Sequence, residues 1–205
     1  MFTTVVFDCG EVLVQGMCGV EVPIAALVSC GPAQVWEKLN TEPMKNEMFC
    51  GRATEQAYWE AVIKRNQWPA TTEQLAAIIR ENFTEVPGTR RIIEVLRAAG
   101  YKIGLLSIHA REWVEFCEAR HKYHHLFHVL QYSCYVGMRK PDPRVFHKIL
   151  GDLETEPSKT VFVDDNPHNT RAAEALGIQA VHFRSAEQLA DDLGRLLGMD
   201  FQRAP

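Results

Sequence analysis

Five polar side chains stand where apolar runs of the sequence end. Asp8 closes the run TVVF, Ser107 follows GLL, Lys140 lies in the loop GMRKPDP behind VLQY, and Asp164 and Asp165 follow VFV. Singly, each has an ordinary explanation: a carboxylate behind a strand serves as a helix cap, a serine as a turn residue, a lysine as a solvated charge. The acidic pair is harder to explain that way. Adjacent carboxylates at a buried edge repel each other unless a cation lies between them, and a hard divalent ion such as Mg²⁺ is the simplest partner.

As a set, the five suit phosphoryl transfer. Magnesium held by Asp8 and the acidic pair would neutralise part of a phosphate's charge, and Lys140 another part. The Ser107 hydroxyl and the backbone N–H groups opening the helix behind it would take the remaining oxygens. Asp8, pointed in line at phosphorus, would attack to give an aspartyl-phosphate that water hydrolyses.

Such residues need a scaffold that brings strand ends together. Residues 3–7 read as a buried strand, and runs of the same kind recur at YKIGLL, HVLQY, TVFV and QAVHF. Helical patterns lie between them. RRIIEVLRAAG sets Ile92, Val95, Leu96 and Ala99 on one face and stops at Gly100, while SAEQLADDLGRLLG opens with a capping box of Ser185 and Gln188. Strands alternating with helices imply an α/β fold, a doubly wound parallel sheet whose ligands collect at the carboxyl ends of the strands. Residues 15–85 break the rhythm with helical patterns only, among them TTEQLAAIIRENF with its own capping box, Thr71 and Gln74. The expected organisation is a core of residues 1–14 and 86–205 with an all-helical cap, 15–85, inserted after the first strand.

Composition agrees with a globular enzyme and excludes other classes. The chain has 205 residues, 46% hydrophobic and 23% charged, with a formal net charge of -4. No basic stripe suggests nucleic acid, and no apolar run is long enough for a membrane span. MFTTVVFDCG lacks the basic start of a signal peptide, so a cytoplasmic address is expected. The six cysteines are scattered without a CxxC pair and read as reduced thiols.

The chain order of these residues, together with VGMRKPDPRVF and FVDDNPHNTRAAEALG, resembles the motifs of the haloacid dehalogenase superfamily of hydrolases. Within it the likeness is to the branch holding bacterial glucose-1-phosphate phosphatase and the N-terminal phosphatase domain of epoxide hydrolases. The resemblance implies Asp8 as nucleophile and Lys140 as its catalytic partner. It implies direct magnesium contacts from Asp8, the Gly10 carbonyl and Asp165, with Asp164 acting through water, and substrate binding at Ser107, Ile108 and Lys140. The partner implied is a small phosphate ester, a sugar phosphate leading, acted on by a monomer or homodimer.

Two positions depart from that pattern. Gly10 stands where the motif DxDGT has a second Asp that protonates the leaving group, a loss worth ~100-fold to 10,000-fold and felt least with a good leaving group such as an anomeric oxygen. Glu11 is the neighbouring carboxylate that could substitute. Ile108 stands where Asn is usual, and His109 behind it either reaches the substrate or is a solvent-exposed residue at a helix start. Competing readings are a binding protein that has lost activity, a metal-free 2-haloacid dehalogenase, which would have no use for the acidic pair, and a receiver domain, whose acidic pair comes first in the chain. His121, His124, His125 and His128 invite a zinc reading, Tyr58 and Trp59 a sugar platform, and Arg52 a cap loop at the entrance; core packing competes for the aromatics.

Overall fold

The computed structural model describes residues 1–201. Five strands, β1 (Thr4–Phe7), β2 (Lys102–Ser107), β3 (Val129–Tyr132), β4 (Thr160–Asp164) and β5 (Gln179–His182), form one sheet in the order β3-β2-β1-β4-β5. Every pairing is parallel, with Phe7 beside Leu105 on one side and Val163 on the other. All five strands lie where the apolar runs place them, because short β-branched runs bounded by polar residues carry a strong local signal.

Between β1 and β2 come α1 (Glu21–Val28), α2 (Pro32–Asn40), α3 (Pro43–Phe49), α4 (Glu55–Asn66), α5 (Thr72–Asn82) and α6 (Thr89–Ala98). After β2 follow α7 (Arg111–His121), α8 (Ser133–Val136), α9 (Pro143–Asp152), α10 (Pro167–Glu174) and α11 (Ala186–Leu197). Side chains alternate across the pleat, so each sheet face builds its own core. Val6, Leu106 and Phe162 pack with Val145, Phe146 and Ile149 of α9 and Ala173 of α10. Val5, Phe7, Ile103, Leu105, Val161 and Val163 face the other way, onto α6, α7 and α11.

This second cluster runs without interruption into α1–α5, where Ile24, Val35, Leu39, Trp59, Leu75 and Ile79 are buried. Tyr58 and Trp59 are fully buried in it, which overturns the sugar-platform reading: packing, not ligand, occupies these rings. Two connections tie the helices to the sheet, Gln15 N–H to the Thr84 carbonyl at 2.7 Å and Val86 N–H to the Leu13 carbonyl at 2.9 Å. Glu55 adds a side-chain tie. Its Oε1 accepts from the indoles of Trp59 (3.2 Å) and of Trp113 in α7 (2.8 Å), while Arg80 pairs with Oε2 at 2.5 Å. Gly51 lies against α8 so closely that a Cβ there would fall 2.0 Å from the Cys134 carbonyl oxygen, and its φ of +72° suits glycine alone.

Local capping follows the sequence with small differences. Thr71 and Gln74 form the full reciprocal box. Ser185 accepts from Gln188 N–H, but Gln188 Oε1 turns to Arg184 N–H instead of Ser185. Ala99 is exposed, because α6 ends one residue before it and Gly100 turns the chain away. Among the described residues, no helix is long and apolar enough to cross a membrane.

Candidate active site

Asp8 leaves β1 at the point where the chain's crossovers reverse direction, between β2 and β4, the crevice where open α/β sheets bind ligands. Its N–H extends the pairing by bonding Val163 O at 2.8 Å. Oδ1 accepts from Cys9 N–H at 2.6 Å, and Oδ2 lies 2.8 Å from Lys140 Nζ. On the adjoining strand, Asp164 Oδ2 lies 2.6 Å from the same ammonium. Lys140 thus bridges the two carboxylates from a slot in which it is 2% exposed. Burial works against its charge, yet the two carboxylates outweigh that and hold its pKa above the ordinary value.

Asp165 completes the cluster: carboxylate oxygens of Asp8, Asp164 and Asp165 lie within 4.8 Å of one another. Burial, reinforced by the neighbouring carboxylate, raises both Asp164 and Asp165 to about 6, with Lys140 pulling the other way. The two acids differ in what they have left to offer. Asp164 is saturated, accepting from Lys140, from Asn166 N–H at 2.8 Å and from the Asn169 amide at 3.0 and 3.1 Å. No other residue's donor reaches the Asp165 carboxylate among the described residues, and none reaches the Gly10 carbonyl.

Ser107 closes β2, one strand across from Asp8, with its hydroxyl 3.3 Å from His109 Nδ1. Helix α7 does not begin until Arg111, so its N-terminus is not the nearest source of backbone donors. That source is Ile108, whose N–H bonds nothing among the described residues; the next N–H, of His109, is taken by Ser133 Oγ at 3.1 Å. The Ile108 side chain itself packs against the core.

The reading of His109 as a solvated helix-start residue is overturned. It is 3% exposed, with Phe83, Trp113 and Tyr132 around its ring at 6.0–6.2 Å between centroids. Its Cε1 lies 4.0 Å from where a Cβ on Gly10 would stand, and Nε2 is buried without a partner. Burial, with the Lys140 charge adding, lowers its pKa to about 4, so the ring is neutral. Glu11 is no free substitute for a carboxylate at position 10. Its φ of +59° turns the side chain to a loop, where it accepts from Gln15 Nε2 and from Gly16 and Cys18 N–H.

The histidines of HKYHHLFH disperse. His121 Nε2 meets Phe83 O, His124 Nε2 meets Tyr132 Oη, His128 Nδ1 accepts from Ile103 N–H, and His125 is exposed. Among the described residues, Asp8, Asp164 and Asp165 form the only group of such side chains suited to a metal. Arg52 is exposed and paired with Glu47 at 2.7 Å. Two contributors carried no role in the sequence. Asn169 clamps Asp164 from the first turn of α10, and His182 Nε2 lies 2.8 Å from the Asp165 carbonyl. The run DDNPHNT held the signal for Asn169, since a buried amide five residues behind a strand-end carboxylate reaches back to it from the following helix.

Residues 30–183 match the family model of haloacid dehalogenase-like hydrolases. The chain is 29% identical over 124 residues to flavin mononucleotide hydrolase 1 of Arabidopsis thaliana, covering 60% of this chain and 50% of that one. It is 33% identical over 79 residues to bifunctional epoxide hydrolase 2 of Rattus norvegicus, covering 38% and 14%. It therefore spans about half or less of the length of these relatives. In structure it is similar to a haloacid dehalogenase family enzyme of Bacteroides thetaiotaomicron in complex with magnesium and inorganic phosphate, with a TM-score of 0.73, 19% identity and coverage of 90% and 96%.

Proposed function

Since the chain belongs to the haloacid dehalogenase-like hydrolase family, we propose that it is a magnesium-dependent phosphatase acting on a small phosphate ester, a sugar phosphate leading, through an aspartyl-phosphate on Asp8. The observation that carries this reading is the Lys140 bridge between Asp8 and Asp164 inside a cluster of three carboxylates. A haloacid dehalogenase would have no use for that cluster. The flavin mononucleotide hydrolase among its relatives, and the magnesium and phosphate in the structural neighbour, lend support.

The residues present suit a hard divalent ion. Asp8 and Asp165 offer carboxylate oxygens and Gly10 an unengaged carbonyl, while Asp164, already saturated by donors, would act through water. Bound there, magnesium would supply charge neutralisation for the phosphoryl oxygens.

The chain's own groups do the rest. Asp8 Oδ1 is oriented by Cys9 N–H, and Lys140 holds Oδ2 at 2.8 Å, fixing the carboxylate for attack. The Ser107 hydroxyl and the Ile108 N–H are placed to receive phosphoryl oxygens as charge develops on them. Gly10 holds no proton for the leaving group, which favours esters whose alcohol leaves readily. Residues 15–85 act in this reading as the cap over the strand ends. The test is phosphate release from an aryl phosphate: present with Mg²⁺, lost with EDTA, followed by a panel of sugar and nucleotide phosphates. No release across the panel would favour a binding protein that has lost its activity.

A further inference from the structure

A second group of cations lies where the α2–α3 segment meets the loop that carries Lys140. A cleft of about 390 Å³ lies between residues around Lys45 and Arg139, the chain neighbour of Lys140. Lys45 donates to a neutral partner, Asn40 Oδ1, at 2.6 Å. Arg139 has no ion pair, and the Asn46 amide donates to nothing, among the described residues. The cleft's one carboxylate, Glu42, is turned to Met44 N–H and to Arg65 at 3.6 Å. Burial and the nearby Arg139 charge lower the Lys45 ammonium to about 8. Lys45 is half-buried and Arg139 exposed, and the repulsion of two like charges lining one cleft is relieved by an anion between them. Arg139 ties the cleft to the acidic cluster, because the next residue, Lys140, places its ammonium between Asp8 and Asp164.

We propose that this cleft is a second anion subsite, in which Lys45, Arg139 and Asn46 hold an oxyanion carried on the leaving-group part of the substrate. It rests on the reading of Asp8 as the phosphoryl acceptor, and it narrows the substrate class to phosphate esters bearing a further carboxylate or phosphate. Arg139 offers a planar fork and Lys45 a point charge, a pairing suited to such a group. Phosphate esters of uncharged sugars, the simpler reading, would leave both cations without an anionic partner.

The test is calorimetric titration of the magnesium-loaded protein with ω-phosphonoalkanoates of graded length and with alkyl phosphonates of matched length, none of them hydrolysable. At one length the carboxylate is expected to tighten binding about tenfold or more. Lys45→Gln and Arg139→Gln should each remove most of that preference and leave alkyl phosphonate binding within about twofold of wild type. Equal affinity at every length, or a preference that survives both substitutions, overturns the subsite. A preference without turnover of any phosphate ester would leave the subsite standing and remove the hydrolytic reading; turnover of simple esters without a preference would do the reverse. Failure of both series to bind would remove both.

Discussion

Lys140 Nζ lies 2.6 Å from Asp164 Oδ2 at a place where neither side chain reaches solvent. Removing the ammonium leaves two buried carboxylates, Asp8 and Asp164, facing each other. Losing one partner of a buried ion pair costs about 3–5 kcal/mol. Lys140→Met should therefore lower the melting temperature of the metal-free protein clearly and reduce turnover about 100-fold or more. Lys140→Arg keeps the charge but not the shape and should recover little. Full activity in Lys140→Met would mean that the bridge has no part in catalysis.

The acidic pair makes stability depend on pH in an unusual direction. Asp164 and Asp165 sit at about 6 in the folded chain, above the model-peptide value of about 3.9. A folded acid with a raised pKa binds protons more readily than the unfolded one, so these two groups destabilise the metal-free fold above pH 6, and the penalty fades as pH falls towards about 4. Magnesium needs the ionised forms. The rise in melting temperature on adding Mg²⁺ should be large at pH 7.5 and small at pH 5, and a thermal-shift series across that range reads it directly. An equal rise at both values would place the metal elsewhere.

Gly10→Asp restores the side chain whose place is vacant. A Cβ there meets only His109 Cε1, at an ordinary 4.0 Å, so the backbone tolerates it. The substitution should speed hydrolysis of an alkyl phosphate by about tenfold or more and that of an aryl phosphate far less, since a poor leaving group depends most on a proton donor. A uniform effect on both would show that the proton at this position is not what limits the reaction.

Asn169 touches neither nucleophile nor substrate in the proposed reading; it positions Asp164 through both carboxylate oxygens. Such supporting bonds are worth about 10- to 100-fold in metal affinity. Asn169→Ala should raise the Mg²⁺ concentration needed for half-maximal activity by about that much, with turnover at saturating metal falling less. If turnover fell and the metal requirement stayed put, Asn169 would be acting on something other than the metal site.

The legible parts of this molecule were those encoded locally. Strand ends are marked by apolar runs that stop at a polar residue, and that put Asp8, Ser107 and Asp164 at the carboxyl edge of the sheet, with Lys140 in the loop behind β3. Less legible were positions fixed by what surrounds them. His109 could be read as reaching the substrate or as an exposed helix-start residue, and only the tertiary structure puts Phe83, from 26 positions earlier in the chain, against its ring. Glu11 looked free until its left-handed backbone turned it to Gly16 and Cys18. Trp59 admits a ligand platform or core packing in sequence, and the structure decides for packing, with its indole donating to Glu55 in a buried cluster.

Covalent phosphorylation of Asp8 is the step on which the proposed function depends. It is measured by acid-quenching the magnesium-loaded protein during turnover of an aryl phosphate and weighing the peptide that carries Asp8. The expected result is a phosphoryl mass increment on that peptide, absent in Asp8→Asn. Steady turnover with Asp8 unmodified at every quench time, and undiminished in Asp8→Asn, would contradict it.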